Sequence, residues 1–114
     1  MSKQNEKIRY SEDPGFEPDG GKPWKVMLVD DEQSIHDVTR LALSGFFFDD
    51  RPLEFVSAYS GLEARTAILE HPDTALILLD VVMESETAGL DVAQFIREEA
   101  GNSSVRIVLR TGQP

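Results

Sequence analysis

Short apolar runs alternate with segments of helical periodicity through most of the chain. Three of the four runs are almost continuously apolar, which is typical of strands buried on both faces of a parallel sheet. The runs cover residues 24–31, 54–60, 75–80 and 105–112. Between them, apolar residues recur three and four positions apart, which predicts helices over residues 32–44, 61–70 and 89–99. This alternation predicts an α/β fold built from right-handed βαβ units.

Residues 1–23 differ from the rest because they show no apolar periodicity. Three Pro and three Gly fall within residues 11–23, a composition that favours neither helix nor strand. The sequence therefore predicts a flexible N-terminal tail over residues 1–23 and a folded domain over residues 24–114. The aromatic run Phe46–Phe48 follows the first predicted helix, and we expect it to serve packing.

Composition and charge exclude several classes of function. The 114 residues hold 11 Lys plus Arg and 21 Asp plus Glu, so the formal net charge of −10 argues against a nucleic-acid or anionic-membrane surface. The absence of Cys removes disulfides and thiolate chemistry. No apolar run approaches the ~20 residues of a membrane helix, and the N-terminus has no apolar signal-peptide region. A cytoplasmic location is the expectation.

Acidic and hydroxyl side chains stand where the predicted strands end. Asp30 and Asp31 follow the first run, Asp80 ends the third, and Thr111 ends the fourth. In an open α/β sheet, ligands bind beyond the carboxyl ends of the strands. Mg²⁺ takes one or two carboxylates together with waters or phosphate oxygens, and a carboxylate can attack a phosphoryl group. The alternative for Asp30 and Asp31 is that they simply cap the following helix.

Three segments carry a resemblance to a known family. VMLVDDE (26–32), LILLDVVM (76–83) and IVLRTG (107–112) resemble, in this order and spacing, the receiver domain of bacterial two-component response regulators. The resemblance covers residues 24–114. It implies a flavodoxin-like (CheY-like) doubly wound parallel sheet of about four strands in the order 2-1-3-4, with three helices.

The resemblance also implies a role for each matching residue. Asp80 is expected to accept the phosphoryl group, and Thr111 with Gly112 to contact it as the switch. The expected Mg²⁺ ligands are Asp30, Asp31, Asp80 and the backbone carbonyl of Val82. No residue of this chain matches the family's catalytic lysine.

Two departures from the family pattern stand out. Met83 is followed by Glu84 where the family usually has proline, and the loop 84–89 is one residue longer than usual. The receiver is also expected to be incomplete at its C-terminus, which would leave the fourth strand as an open edge. Self-association through that edge is therefore predicted.

The resemblance implies phosphorelay signalling and not enzymatic catalysis. Asp80 would receive its phosphoryl group from a sensor histidine kinase or a phosphotransfer protein, and would switch a downstream output domain. A similarity to receivers joined to HD-GYP-type cyclic-di-GMP phosphodiesterases suggests one parent protein. The alternative is a pseudo-receiver that is not phosphorylated and serves docking or dimerisation.

Two classes of enzyme are disfavoured by the sequence. A haloacid-dehalogenase-type phosphatase needs a second acid where Val82 stands. A dinucleotide-binding enzyme needs a Gly-rich turn after the first strand, and none follows it here.

Three further polar residues are expected to be solvated. His36 falls on the charged face of the first predicted helix, and Glu84 and Glu86 fall in the loop after Asp80.

Overall fold

The computed structural model describes residues 8–15 and 21–111, which form a six-stranded sheet and three helices. The strands are β1 (Ile8–Tyr10), β2 (Trp24–Val29), β3 (Phe46–Phe48), β4 (Arg51–Ala58), β5 (Thr74–Asp80) and β6 (Arg106–Arg110). The helices are α1 (Gln33–Ala42), α2 (Gly61–Glu70) and α3 (Ala88–Gln94), the last continued by a π-helical turn over Phe95–Glu99.

The strand order in the sheet is β1-β3-β4-β2-β5-β6. The four strands predicted from the apolar runs are β2, β4, β5 and β6, and all their pairings are parallel. Their spatial order β4-β2-β5-β6 is the predicted order 2-1-3-4. The predicted α/β fold class and doubly wound arrangement are therefore confirmed, and the sheet has two more strands than predicted.

The main core lies on the face of the sheet that α2 and α3 cover. Met27, Val29, Ile77 and Leu79 project alternately from the two central strands and pack with small and branched residues of the helices. The helical members of this core are Ala64, Ala67, Ile68, Val92 and Ile96. Burial of these strand positions fixes the register, because a shift by one residue would turn every side chain to the other face.

The two additional strands come from parts of the chain without a strand signal. Ile8–Tyr10, within the predicted tail, pairs antiparallel with Phe46–Phe48, which in turn pairs antiparallel with the start of β4. The β3–β4 turn places Asp49 and Asp50 at φ values of 54° and 62°, the left-handed backbone of a tight hairpin. The expectation of an unstructured tail is thus wrong for residues 8–10, whereas residues 1–7 and 16–20 lie outside the described residues.

No helix in the described part of the chain is long and apolar enough to span a bilayer.

Candidate metal and phosphoryl site

Asp30 and Asp80 lie side by side at the carboxyl edge of the sheet. Val29 pairs with Leu79 in the β2–β5 ladder, so the acids that follow these residues emerge at the same level. Both acids are buried, with 4% of Asp30 and 8% of Asp80 exposed. The apolar strand residues below them fix their position, since those residues cannot leave the core.

Three carboxylates form a cluster at this edge. One carboxylate oxygen from each of Asp30, Asp31 and Glu32 lies within 4.8 Å of the other two, and Asp31 and Glu32 are exposed. The structure thus brings together Asp30 and Asp31 as expected and adds Glu32, which the predicted ligand set lacked. Asp80 is not part of this cluster of carboxylates.

Asp80 is nevertheless electrostatically coupled to the cluster. Burial raises the pKa of Asp80, and the negative charges of Asp30 and Asp31 raise it further. The backbone N–H of Val82, at 3.3 Å from Oδ1, and the Arg110 guanidinium oppose this effect only in part. The site therefore holds more negative charge than its own residues neutralise, which favours a bound cation.

Arg110 was not among the predicted site residues, although it directly precedes Thr111. It pairs with Asp80 in the β5–β6 ladder, and its guanidinium forms an ion pair with Oδ2 of Asp30. The other oxygen of Asp30 accepts a hydrogen bond of 2.9 Å from the backbone N–H of Glu32. The sequence shows a basic residue at the end of this strand, but its pairing with Asp30 depends on the order of the strands in the sheet.

The predicted switch residues are only partly described. Thr111 is exposed and follows Arg110, whose carbonyl accepts a hydrogen bond of 2.9 Å from the N–H of Val81. This bond places Thr111 beside the loop that begins after Asp80. Val82 is 40% exposed in that loop, whereas Gly112 lies outside the described residues.

Gly89 holds the far end of that loop against the acceptor strand. Its N–H donates to the carbonyl of Val81 at 2.9 Å, and a Cβ at this position would lie only 2.2 Å from the carbonyl oxygen of Asp80. Only glycine permits this approach of α3 to the end of β5. Gly89 is not among the predicted site residues, since a close approach of backbones leaves no pattern in the sequence.

Glu84 is exposed, as expected, but it also makes a contact that its position in the sequence does not indicate. Its two carboxylate oxygens accept hydrogen bonds of 3.0 and 2.8 Å from the backbone N–H of Gly61, at the start of α2. This N–H lowers the pKa of Glu84, because the hydrogen bond favours the ionised form. The residue that replaces the family's proline thus ties the loop after Asp80 to α2, while Glu86 is exposed as expected.

The expectation of a solvated His36 is wrong. Its side chain is fully buried, and its ring nitrogens contact the carbonyl of Asp30 and the hydroxyl of Ser57. Helical periodicity placed His36 next to exposed residues, and the polar partners on other elements were not apparent from spacing.

Several solved structures share the fold of this chain. A response regulator receiver protein from Pseudomonas putida matches 80% of this chain and 71% of its own, with 27% identity and a TM-score of 0.58. Similar matches, each at 24% identity with a TM-score of 0.58, are a chain in the complex of the CheA3 P1 domain with CheY6 from R. sphaeroides and one in a CheX–CheY–BeF3–Mg²⁺ complex from Borrelia burgdorferi. The chain covers 64% and 62% of these two chains. The predicted resemblance to CheY-like response regulator receiver domains is confirmed by these matches.

One curated protein is a much nearer relative in sequence. The 3′3′-cGAMP-specific phosphodiesterase 2 of Vibrio cholerae is 60% identical over 92 residues. The match takes in 81% of this chain but only 18% of the relative, so the chain spans less than a fifth of that protein's length. No protein-family model matches the chain.

Proposed function

We propose that the chain accepts a phosphoryl group on Asp80 in a Mg²⁺-dependent phosphorelay. The proposed metal ligands are Asp30, Asp31, Asp80 and the backbone carbonyl of Val82. Thr111 and Gly112 are proposed to contact the phosphoryl group, within a receiver that spans residues 24–114.

The observation that carries this proposal is that Asp30 and Asp80 lie buried side by side and that their negative charge is only partly neutralised by neighbouring residues. Two carboxylates at neighbouring strand ends raise the free energy of the ionised state, which is seen in the raised pKa of Asp80. Folding tolerates such an arrangement at a functional site, where a ligand supplies the missing positive charge.

The donor set fits Mg²⁺ because every available side-chain ligand is an oxygen. Asp30, Asp31 and Glu32 present carboxylates at one edge, and Mg²⁺ prefers carboxylate and water oxygens over nitrogen or sulfur. When bound, the ion would neutralise the oxygens of the incoming phosphoryl group. The complex from Borrelia burgdorferi named above contains both BeF3 and Mg²⁺.

The proposed reaction is a phosphoryl transfer between two side chains. An Asp80 carboxylate oxygen attacks the phosphorus of a phosphohistidine, forming an O–P bond as the P–N bond breaks. The electron pair of the P–N bond returns to the imidazole, which takes up a proton from water. Such reactions depend mainly on positioning and charge neutralisation, which a rigid strand end and a bound cation provide.

The donor is proposed to be a sensor histidine kinase or a phosphotransfer protein. This proposal is supported by the similarity to a chain from the complex of the CheA3 P1 domain with CheY6. Asp80 is reachable from the carboxyl edge of the sheet, where Val82 and Thr111 are exposed.

The proposal is tested by incubating the chain with acetyl phosphate and Mg²⁺ and measuring phosphoryl incorporation by intact mass. We expect one phosphoryl group per chain, and none when EDTA chelates Mg²⁺ before acetyl phosphate is added or when the chain carries Asp80→Asn. Asp91→Asn, in an exposed acid of α3, is the matched control and should be labelled normally. Equal labelling of Asp80→Asn would overturn the assignment.

A second candidate is the unphosphorylated docking or dimerisation module, and one observation favours it. β6 is an edge strand of the described sheet, and Val108 and Leu109 are 49% and 44% exposed. Exposed apolar edge strands pair readily with other chains. Concentration-dependent dimers that Val108→Lys abolishes, together with no labelling of Asp80, would favour this function over phosphotransfer.

We further propose that the chain regulates cyclic-dinucleotide hydrolysis in a longer protein of the HD-GYP type. The support is the 60% identity to a cGAMP-specific phosphodiesterase. In such a full-length protein, a phosphodonor should change the rate of hydrolysis, and Asp80→Asn should remove that response without removing the basal rate.

A further inference from the structure

His36 is a polar residue held in the interior beside the acidic turn. It is the one residue of α1 with a buried side chain, and none of its surface is exposed. A buried imidazole is costly unless both ring nitrogens have partners. Its partners therefore indicate what the residue stabilises.

Both ring nitrogens are engaged, each by a different part of the chain. Nε2 lies 2.8 Å from the carbonyl oxygen of Asp30, and Nδ1 lies 2.9 Å from Oγ of Ser57 on β4. The ring of Tyr59 stacks on the imidazole at a centroid distance of 4.2 Å and a tilt of 31°. His36 thus bridges β4 and the turn that follows β2.

The partners assign the protons along this bridge. A carbonyl only accepts, so Nε2 carries the hydrogen and donates it to Asp30. A guanidinium only donates, and Arg40 donates to Ser57 Oγ at 2.7 Å. Ser57 still has its hydroxyl proton to donate, and Nδ1 can accept it when the ring carries its hydrogen on Nε2.

The carbonyl that His36 holds belongs to the peptide unit that joins Asp30 to Asp31. The N–H of Asp30 is also held, by the carbonyl of Ala58 at 3.2 Å. Asp30 is therefore fixed on both sides of its Cα, and the direction in which the chain continues to Asp31 depends on the imidazole. No contact of His36 with a carboxylate is needed for this effect.

We propose that His36 is a positioning residue that sets the affinity of the acidic turn for Mg²⁺ by fixing the Asp30–Asp31 peptide plane. This inference rests on the proposed function of the site. A preorganised turn binds the ion without first losing conformational freedom, and partners that orient ligands strengthen metal affinity for the same reason.

The test compares variants that remove different ends of the bridge. His36→Gln keeps an N–H donor near the position of Nε2, whereas His36→Asn reaches only the Nδ1 side. Ser57→Ala removes the other end and leaves the Asp30 contact intact. Mg²⁺ affinity is measured by calorimetric titration, and the free energy of unfolding by urea denaturation of each variant.

We expect the Mg²⁺ dissociation constant to rise about tenfold in His36→Asn, clearly less in His36→Gln, and not in Ser57→Ala, although Ser57→Ala lowers stability. A purely structural role predicts instead that Mg²⁺ affinity follows stability across all three variants, and that result would overturn the proposal.

A second readout separates this proposal from the proposed function. In the metal-free protein, amide hydrogen exchange at Asp31 and Glu32 should accelerate in His36→Asn but not in Ser57→Ala. If this pattern is found while no variant binds Mg²⁺, the positioning role holds and the proposed metal function is wrong. Unchanged exchange in His36→Asn would refute the positioning role, whatever the metal does.

Discussion

Asp30 and Asp80 are equally buried and lie at neighbouring strand ends, but the two turns that hold them satisfy their carboxylates differently. Asp30 accepts a backbone hydrogen bond from Glu32 on one oxygen and pairs with Arg110 on the other. Asp80 has a single long hydrogen bond, from the N–H of Val82 at 3.3 Å, and a raised pKa. The protein therefore holds the carboxylate of Asp30 in place, whereas the carboxylate of Asp80 can still bind a ligand.

This difference indicates that the two acids have different roles in the same pocket. An anchored carboxylate keeps its geometry when a cation arrives, while an under-satisfied carboxylate remains a nucleophile.

Gly89→Ala should disrupt the Asp80 side of the pocket most strongly. The added methyl would overlap the carbonyl oxygen of Asp80, and backbone atoms can move only by displacing α3. We expect a loss of about 3 kcal/mol or more in the free energy of unfolding, measured by urea denaturation. Gly101→Ala is the control, because its φ of +66° causes strain but no atom lies within 4 Å. A similar small loss in both variants would contradict this interpretation.

Matched amide substitutions should change stability in opposite directions. Asp30→Asn loses the ion pair with Arg110 and should cost about 1 kcal/mol at neutral pH, because Arg110 is half exposed and the pair is partly screened. Asp80→Asn removes a charge that burial and two acids disfavour, and should raise the midpoint of thermal unfolding. If both substitutions lower stability, the two carboxylates do not differ in how well the protein stabilises their charge.

The difference in stability between the wild type and Asp80→Asn should change with pH in a defined direction. Because the pKa of Asp80 is raised in the folded state, the native protein takes up this proton before the unfolded chain does. The free energy of unfolding of the wild type should therefore rise relative to that of Asp80→Asn as pH falls through the raised pKa towards the ordinary value of 3.8. Urea denaturation of both proteins across this range measures the difference, and a gap that widens on acidification would contradict the prediction.

Arg110→Gln should strengthen Mg²⁺ binding on the Asp30 side. The guanidinium engages an oxygen of Asp30 that the ion could otherwise use, so its removal should lower the dissociation constant severalfold, equivalent to roughly 0.5–1 kcal/mol. Arg106→Gln removes an exposed charge from the other end of β6 and serves as the control. Equal effects of both variants would indicate a general effect of charge and not competition at Asp30.

Glu84→Gln should have the smallest effect, through the anchoring of the Asp80 loop to α2. A charged acceptor at a helix N-terminus contributes about 0.5 kcal/mol at an exposed position. Because the pKa of Glu84 is lowered, its contribution is present above the ordinary value of 4.5 and is lost as pH falls through the lowered pKa. Denaturation at neutral and acidic pH should show a difference between wild type and variant only at neutral pH.

The parts of the site predicted from sequence are those that continue an apolar strand. Asp30 and Asp80 could be placed because each stands at the end of a strand whose burial fixes its position. Thr111 could be placed because it follows the apolar run of β6, although that strand is mostly exposed. His36 and Glu84 could not, because their partners, Ser57 and Gly61, become neighbours only through the fold. The β1–β3 pairing joins residues almost forty positions apart and has no local signal beyond the aromatic run.

Mapping the phosphoryl group to a residue decides whether Asp80 is the acceptor. After treatment with acetyl phosphate and Mg²⁺, peptide mass spectrometry of the chain should find the modification on Asp80 and on neither Asp30 nor Asp31. A phosphoryl group on Asp31, or a labelled chain in which Asp80 is unmodified, would contradict the account.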